Sequence, residues 1–363
     1  MKIPFFTLDR QSREIKDTVL DAIGTVIDSS MFILGTEVEE LEKALSNYID
    51  SAEFVSVSSG TEALRLCLLL NNIGFGDEVI TVSNSYFATA AAIAMVGATP
   101  VFVDIEPDSM LLDPTRIEKA VTANTKAIIP VHYNGYPCNL ELIHAIADAY
   151  NVVVIEDCAQ AFGSKTKNRH VGSDDFGCFS FHPLKVFGGY GDGGGVSLSS
   201  VEYIDTLKQL RNNGLVDRDN VAHISGNYRL DTLQAAVLLQ KLKYIDSWLM
   251  RRKKIGQYYL ENLKGIRLPV VEKYVDFNFS SFVVRHPKRD ALLRRLNDKG
   301  IDCKVQYPIA IHQQPPYSKF SKTSLPITEK VVSEIISIPI SQDLTDIEVE
   351  FVVDSINSIA SLV

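Results

Sequence analysis

Along the first two-thirds of the chain one rhythm repeats: a short β-branched run, a polar or glycine turn, then residues with helical spacing. The runs are EFVSVSS (53–59), DEVITVS (77–83), TPVFVDI (99–105), KAIIPVH (126–132), VVVIED (152–157), FGCFSF (176–181) and GGVSLS (194–199). Helices are predicted between most of them, including 61–73, 87–96 and 139–150. Near-continuous apolar strands alternating with helices predict a large, mostly parallel sheet of seven strands covered on both faces, the α/β class.

From about residue 245 the pattern changes. A charged helix, SWLMRRKKIGQYYLENL, leads into the strand-like SSFVVRH (280–286), the helical KRDALLRRLNDKG (288–300) and the strand-like DCKVQYP (302–308). A last helix is predicted over TDIEVEFVVDSINSIASL. The expected organisation is a large domain over 1–244 and a smaller C-terminal α+β domain over 245–363. A length of 363 residues agrees with more than one ordinary domain.

Composition narrows the partners. With 46% hydrophobic and 22% charged residues the chain is globular, and a net charge of −9 argues against nucleic acid or an anionic membrane surface. The N-terminus MKIPFFTLDRQ turns charged too early for a signal peptide, and apolar runs such as EALRLCLLL are too short to span a bilayer. Cys67, Cys138, Cys158, Cys178 and Cys303 include no C-x-x-C pair; an odd, scattered set predicts reduced thiols and a cytoplasmic location.

Chemistry is expected where strands end, because parallel α/β sheets bind ligands there. At the first such end, Ser59-Gly60-Thr61-Glu62 reads as a capping box for the next helix. The same turn has a second reading: Gly60 lets the backbone approach a ligand, and helix N-termini hold phosphate. Asp157 follows Glu156 at the end of the most apolar run, where a carboxylate is costly unless paired. It either caps the CAQAFG turn or meets a cationic ring nitrogen, with Gln160 one turn on within reach of a phenolic oxygen.

Lys185 lies beyond FGCFSF, behind Pro183 and ahead of Gly188, in an aromatic and glycine-rich stretch. A surface charge is the ordinary explanation for a lysine. A partly desolvated one has a lowered pKa and becomes a Schiff-base nucleophile. Gly189, Gly191 and Gly194 spell G-x-G-x-x-G, but a dinucleotide fingerprint needs a helix next, and GGVSLSS predicts a strand. A phosphate-holding turn, a strand-end Asp and a strand-end Lys, in that order, are the parts of pyridoxal-phosphate chemistry.

Further blocks identify the resemblance: FILGTEVEELEKAL, SVSSGTEALRLCL, GDEVITVSNSYFATAAAIAMVGATPVFVDI, PVHYNGYPCNL, VIEDCAQAFGS, SFHPLKVFGGYGDGGGV, GNYRLDTLQAAVL and VQYPIAIHQQPPY. Together they resemble, nearly end to end, the DegT/DnrJ/EryC1/StrS sugar aminotransferases, which have the aspartate-aminotransferase fold (fold type I of pyridoxal-phosphate enzymes). The resemblance implies Lys185 as the Schiff-base lysine and the turn Ser59, Gly60, Thr61, with Ser180, around the cofactor phosphate. It implies Asp157 at the pyridinium nitrogen, Gln160 near the ring hydroxyl and Tyr86 stacked on the ring, a core aromatic being the other reading of Tyr86.

Asn227 resembles the residue that a second copy of the chain donates to its neighbour's phosphate, against a helix cap as the alternative; Arg229 is expected near the same interface. Tyr307 and His312 resemble the sugar-nucleotide wall. His182, three residues from Lys185, is expected to pack or meet water. Lys185 argues against the dehydratase branch, which carries His there. Gln306 stands where the family often has His, and LKVFGG replaces a commoner Lys-Asn pair.

The implied activity is transfer of an amino group from L-glutamate to a keto carbon of a nucleotide-linked sugar by a homodimer with shared active sites. YGDGGG resembles members acting at C-3, which points to a dTDP-3-keto-6-deoxyhexose and a dTDP-3-amino-3,6-dideoxyhexose product feeding surface polysaccharide such as lipopolysaccharide O-antigen, or a glycosylated natural product. A UDP-linked or C-4 keto sugar comes next, then a dehydratase or a non-enzymatic sensor of the cofactor or sugar nucleotide. A nicotinamide dehydrogenase ranks last.

Overall fold

The computed structural model describes residues 1–321 and 324–362. All seven predicted runs become strands of one sheet: β1 (Glu53–Val57), β2 (Glu78–Thr81), β3 (Thr99–Phe102), β4 (Thr125–Ile128), β5 (Val153–Asp157), β6 (Phe176–Ser180) and β7 (Gly194–Leu198). Their spatial order is β1-β7-β6-β5-β4-β2-β3. Neighbours pair in parallel except at β7, which runs antiparallel to both β1 and β6. Every residue of β2 and of β7 is buried, as expected of a sheet covered on both faces.

Helices α1 (Lys16–Ser29), α2 (Thr36–Ile49), α3 (Gly60–Leu70), α4 (Ala88–Met95) and α5 (Leu140–Tyr150) precede β6 in the chain. Each of the last three fills a predicted helical stretch. The start of α3 is fixed by Ser59, whose Oγ accepts from the Glu62 amide at 3.1 Å. The capping box is half made: the Glu62 carboxylate turns away to Arg65 at 2.9 Å, because that guanidinium also sits over the Tyr228 ring at 4.6 Å. Asn139 caps α5 through the Leu142 amide, and Asn151, with φ of 53°, ends it in the left-handed region.

Two later helices, α6 (Thr232–Leu242) and α7 (Ile245–Asn262), lead to the C-terminal part. Ile245, Trp248 and Leu249 of α7 pack with α1 and α2, whereas Ile255 and Tyr259 pack with Phe282 and Val352. There β8 (Phe282–Arg285) pairs antiparallel with β9 (Ile335–Ile338), flanked by α8 (Arg289–Asp298), α9 (Pro326–Glu334) and α10 (Asp346–Ala360). Thr345 and Glu348 close a complete capping box on α10.

The run 302–308 is not a strand. A single pairing joins Lys304 to Ser337, and beyond it the Gln306 carbonyl is taken by the Tyr133 hydroxyl, drawing the chain off the sheet. The N-terminal arm returns to this part, Ile3 pairing with Ile301. Among the described residues no helix is long and apolar enough to cross a membrane.

Candidate active site

The C-terminal ends of β1, β5 and β6 open on a cavity of about 430 Å³. Its floor is built from backbone. A Cβ on Gly60 would stand 2.8 Å from the Ser180 Cβ, and one on Gly194 would stand 2.6 Å from the Gly60 nitrogen. Glycine at both positions therefore lets the first turn of α3 press against the ends of β6 and β7. Ser59, Gly60, Thr61 and Ser180 face the cavity from this junction. Free helix-start amides beside three hydroxyls form a cradle for a phosphate dianion.

Asp157 is the last residue of β5 and is 5% exposed. Its Oδ2 accepts from Thr89 Oγ1 at 2.7 Å and its Oδ1 from the Ala159 amide at 3.1 Å. The Asp157 amide donates to Pro130 O at 2.9 Å. Glu156 faces away from the cavity: His132 Nδ1 accepts from the Cys138 amide, so Nε2–H donates to Glu156 Oε2 at 2.8 Å. Two adjacent buried carboxylates thus serve opposite faces of the sheet, one in the protein's interior and one in the cavity.

Lys185 lines the same cavity. Burial pushes its ammonium below the usual lysine range, and the Asp157 carboxylate opposes that shift. Gln160 also lines it; its Oε1 is occupied by the Asn134 amide at 2.8 Å, which leaves the NH2 as the end able to donate. Tyr86 and Tyr307 also line it, with ring centroids 5.5 Å apart, and burial pushes the Tyr307 hydroxyl well up. A pyridine ring carrying a phosphate, a phenolic oxygen and a carbonyl fits these groups.

Other predicted residues lie elsewhere. His312 is buried with Nδ1 at 2.7 Å from Ser83 Oγ and Nε2 at 3.3 Å from Glu329, and it does not line the cavity. Asn227 is exposed outside the cavity; it does not cap α6, whose start is at Asp231. Arg229 reaches Asn212 Oδ1 at 2.9 Å. His182 stands at the cavity edge, where its Nδ1 accepts from the Leu184 amide and caps its own turn.

Nothing in the sequence flags Thr89, a small residue in an alanine-rich helix, nor Phe5, Phe6 and Ser281; all four line the cavity, as does Gln306. Ser281 Oγ donates to Gln306 Oε1 at 3.1 Å, so the glutamine that departs from the family pattern is held in place. A larger open cleft of about 1260 Å³, lined by Asp108, His144, Arg169 and Asp175, contains none of these groups.

Residues 13–357 match the model of the DegT/DnrJ/EryC1/StrS aminotransferase family. The chain belongs to this family. It is 40% identical over 358 residues, covering 98% of this chain and 99% of its relative, to the dTDP-3-amino-3,6-dideoxy-alpha-D-galactopyranose transaminase of Aneurinibacillus thermoaerophilus. Its structure is similar to the crystal structure of S. venezuelae DesV in complex with a ketimine intermediate, with a TM-score of 0.97 at 36% identity over 100% of this chain and 99% of that one. It also resembles the structure of NtdA from Bacillus subtilis with bound cofactor PMP, with a TM-score of 0.93 at 31% identity over 99% of this chain and 85% of that one. Members of this family with these folds are fold-type I sugar aminotransferases, so the chain is an aminotransferase with the mostly parallel seven-stranded sheet of that class.

Proposed function

We propose that this aminotransferase uses pyridoxal 5'-phosphate to move an amino group from L-glutamate to C-3 of a dTDP-3-keto-6-deoxyhexose, giving a dTDP-3-amino-3,6-dideoxyhexose. The carrying observation is that Lys185 and Asp157 share one cavity with a glycine-floored phosphate cradle. The sugar and its nucleotide rest on the likeness to the galactopyranose transaminase.

When bound, the cofactor supplies a carbonyl for covalent capture of amines and a ring that accepts the electron pair left when the Cα proton departs. The chain does the rest. Ser59, Gly60, Thr61 and Ser180 bind the phosphate. Asp157, oriented by Thr89 and the Ala159 amide, holds a proton on the ring nitrogen. Gln160 donates to the ring oxygen, and Tyr86 covers one ring face. Lys185, with its ammonium destabilised by burial, is the nucleophile and then moves the proton at Nζ between carbon centres.

In this reading residues 1–244 form the cofactor-binding domain, and 245–363 form a smaller domain that supplies Tyr307 to the sugar-nucleotide wall. The active assembly is a homodimer in which Asn227 serves the neighbouring site, in keeping with its exposed place outside its own cavity. Five buried, unbridged cysteines support a cytoplasmic location.

A visible spectrum of the purified protein before and after L-glutamate tests the reading. A yellow band that glutamate bleaches supports cofactor and donor; a band glutamate leaves untouched removes glutamate as donor. No band after soaking in pyridoxal phosphate overturns the proposal. Turnover of dTDP- against UDP-linked 3-keto sugars then decides the nucleotide.

A further inference from the structure

The loop that carries Lys185 is gripped from outside the cavity by one face of α6. Leaving β6, the chain closes a tight loop: the Lys185 amide donates to His182 O at 2.8 Å, and the Gly189 amide returns to Phe181 O at 2.7 Å. Within it Phe187 stacks on Phe162 with centroids 4.4 Å apart, which sets how deep the loop sits in the core. Further polar contacts reach the loop from outside, at the Gly188–Tyr190 backbone.

Those contacts come from Lys241 and Gln234, seven residues apart and so two turns along one face of α6. Lys241 is 1% exposed, and its Nζ donates to Gly188 O at 2.6 Å. The same ammonium lies 4.3 Å from the centroid of the Tyr190 ring. Gln234 Oε1 accepts from the Tyr190 amide at 2.8 Å. Cβ atoms on Gly189 and Gly191 would each stand 2.8 Å from the Gln234 amide group, and one on Gly188 would stand 2.8 Å from Pro183 O. Glycine at 189 and 191 therefore leaves the space that Gln234 needs to reach backbone, and glycine at 188 lets the loop close on Pro183.

A buried ammonium is costly, and among the described residues Lys241 has no carboxylate within ion-pair distance. A methionine would fill the same slot without that cost, so the charge needs another reason. Gly188 O is the last carbonyl before the loop closes at Gly189, three residues from Lys185. An ammonium donor there makes a hydrogen bond stronger than a neutral one and directional enough to set the loop's orientation.

We infer that Lys241, together with Gln234, is a positioning residue that holds the Gly188–Tyr190 backbone and thereby aims Lys185 Nζ into the cavity. The inference rests on the Schiff-base reading of Lys185. It touches no part of the sugar or the cofactor directly.

The test titrates cofactor-free wild type, Lys241→Met and Gln234→Leu with pyridoxal phosphate, following the visible band, its pH midpoint and the melting temperature before loading. Lys241→Met is expected to bind about tenfold more weakly, the loss of one charge-assisted hydrogen bond. Its band should have a displaced pH midpoint, while the melting temperature before loading holds or rises because an unpaired buried charge is gone. Gln234→Leu should move affinity and midpoint in the same direction.

Unchanged affinity and midpoint in Lys241→Met, beside a wild type that loads normally, overturn the inference alone and leave Lys241 a structural residue. A wild type that forms no band overturns the Schiff-base reading and the inference with it. If Lys241→Met fails to fold, Gln234→Leu decides: an unmoved midpoint there overturns the positioning role.

Discussion

Thr89 Oγ1 donates to Asp157 Oδ2 across 2.7 Å, with both side chains almost fully buried at the start of α4 and the end of β5. The contact fixes which way the carboxylate presents itself to the cavity. Thr89→Val keeps the shape and removes the donor, leaving a buried carboxylate oxygen unpaired at a cost of about 1–3 kcal/mol. The variant should melt at a lower temperature and take up pyridoxal phosphate about tenfold more weakly. Equal uptake by the two proteins in an absorbance titration would remove Thr89 from the site.

Lys185→Ala deletes an amine whose charged form burial disfavours. The cofactor-free variant should fold and melt at or above the wild-type temperature, because the cost of burying the ammonium outweighs its attraction to Asp157. Amino transfer to a keto sugar should fall below detection, since in the proposed reaction the same Nζ is both nucleophile and proton carrier. Circular dichroism with a coupled glutamate assay separates the two effects. Surviving turnover would assign the chemistry to another residue.

Strand ends are legible because those at the site follow runs of β-branched or aromatic residues too apolar to lie anywhere but in a buried sheet. That put Asp157, Ser180 and the turn after β1 at one edge, and the cavity lies there. Contacts between distant segments were not legible. Nothing in the sequence singles out Lys241, which is buried because the loop after Lys185 folds over it. His312 was expected on the substrate wall, and Ser83, 229 residues away, holds it elsewhere. The second strand of the C-terminal sheet, β9, and the helix α9 before it went unseen. The start of α9 is set by Asp104, whose carboxylate accepts from the Ile327 and Thr328 amides more than 220 residues away in sequence.

Gly194→Ala probes the floor of the cavity. Its Cβ would meet the backbone nitrogen of Gly60 at 2.6 Å, and backbone on both sides has no side-chain rotamer by which to yield. Strand β7 must then move off the start of α3, widening the phosphate cradle. The variant is expected to lose about 1–3 kcal/mol of stability, and relative to wild type its binding of inorganic phosphate and pyridoxal phosphate should weaken more than its binding of pyridoxal. If phosphate-free and phosphorylated forms weaken equally, the cradle is not at this junction.

Lys241 also gives the cofactor-free protein a pH signature. Burial lowers its pKa from the ordinary 10.5 to about 8. Between those values the unfolded chain holds a proton that the folded chain has released, so this residue's contribution to stability rises with pH across that window. Below pH 8 the cost of burying the charge is present in full, roughly 3 kcal/mol by linkage. Cysteines such as Cys303, whose thiol burial pushes up to about 12, act in the opposite sense above pH 9, so the wild-type profile alone cannot isolate the lysine. The difference between wild type and Lys241→Met can. The methionine variant should be more stable by its largest margin at pH 7, with the margin shrinking steadily toward pH 10.5. Denaturant titrations at pH 7, 8.5 and 10 measure it, and a margin independent of pH would mean that burial does not lower the Lys241 pKa.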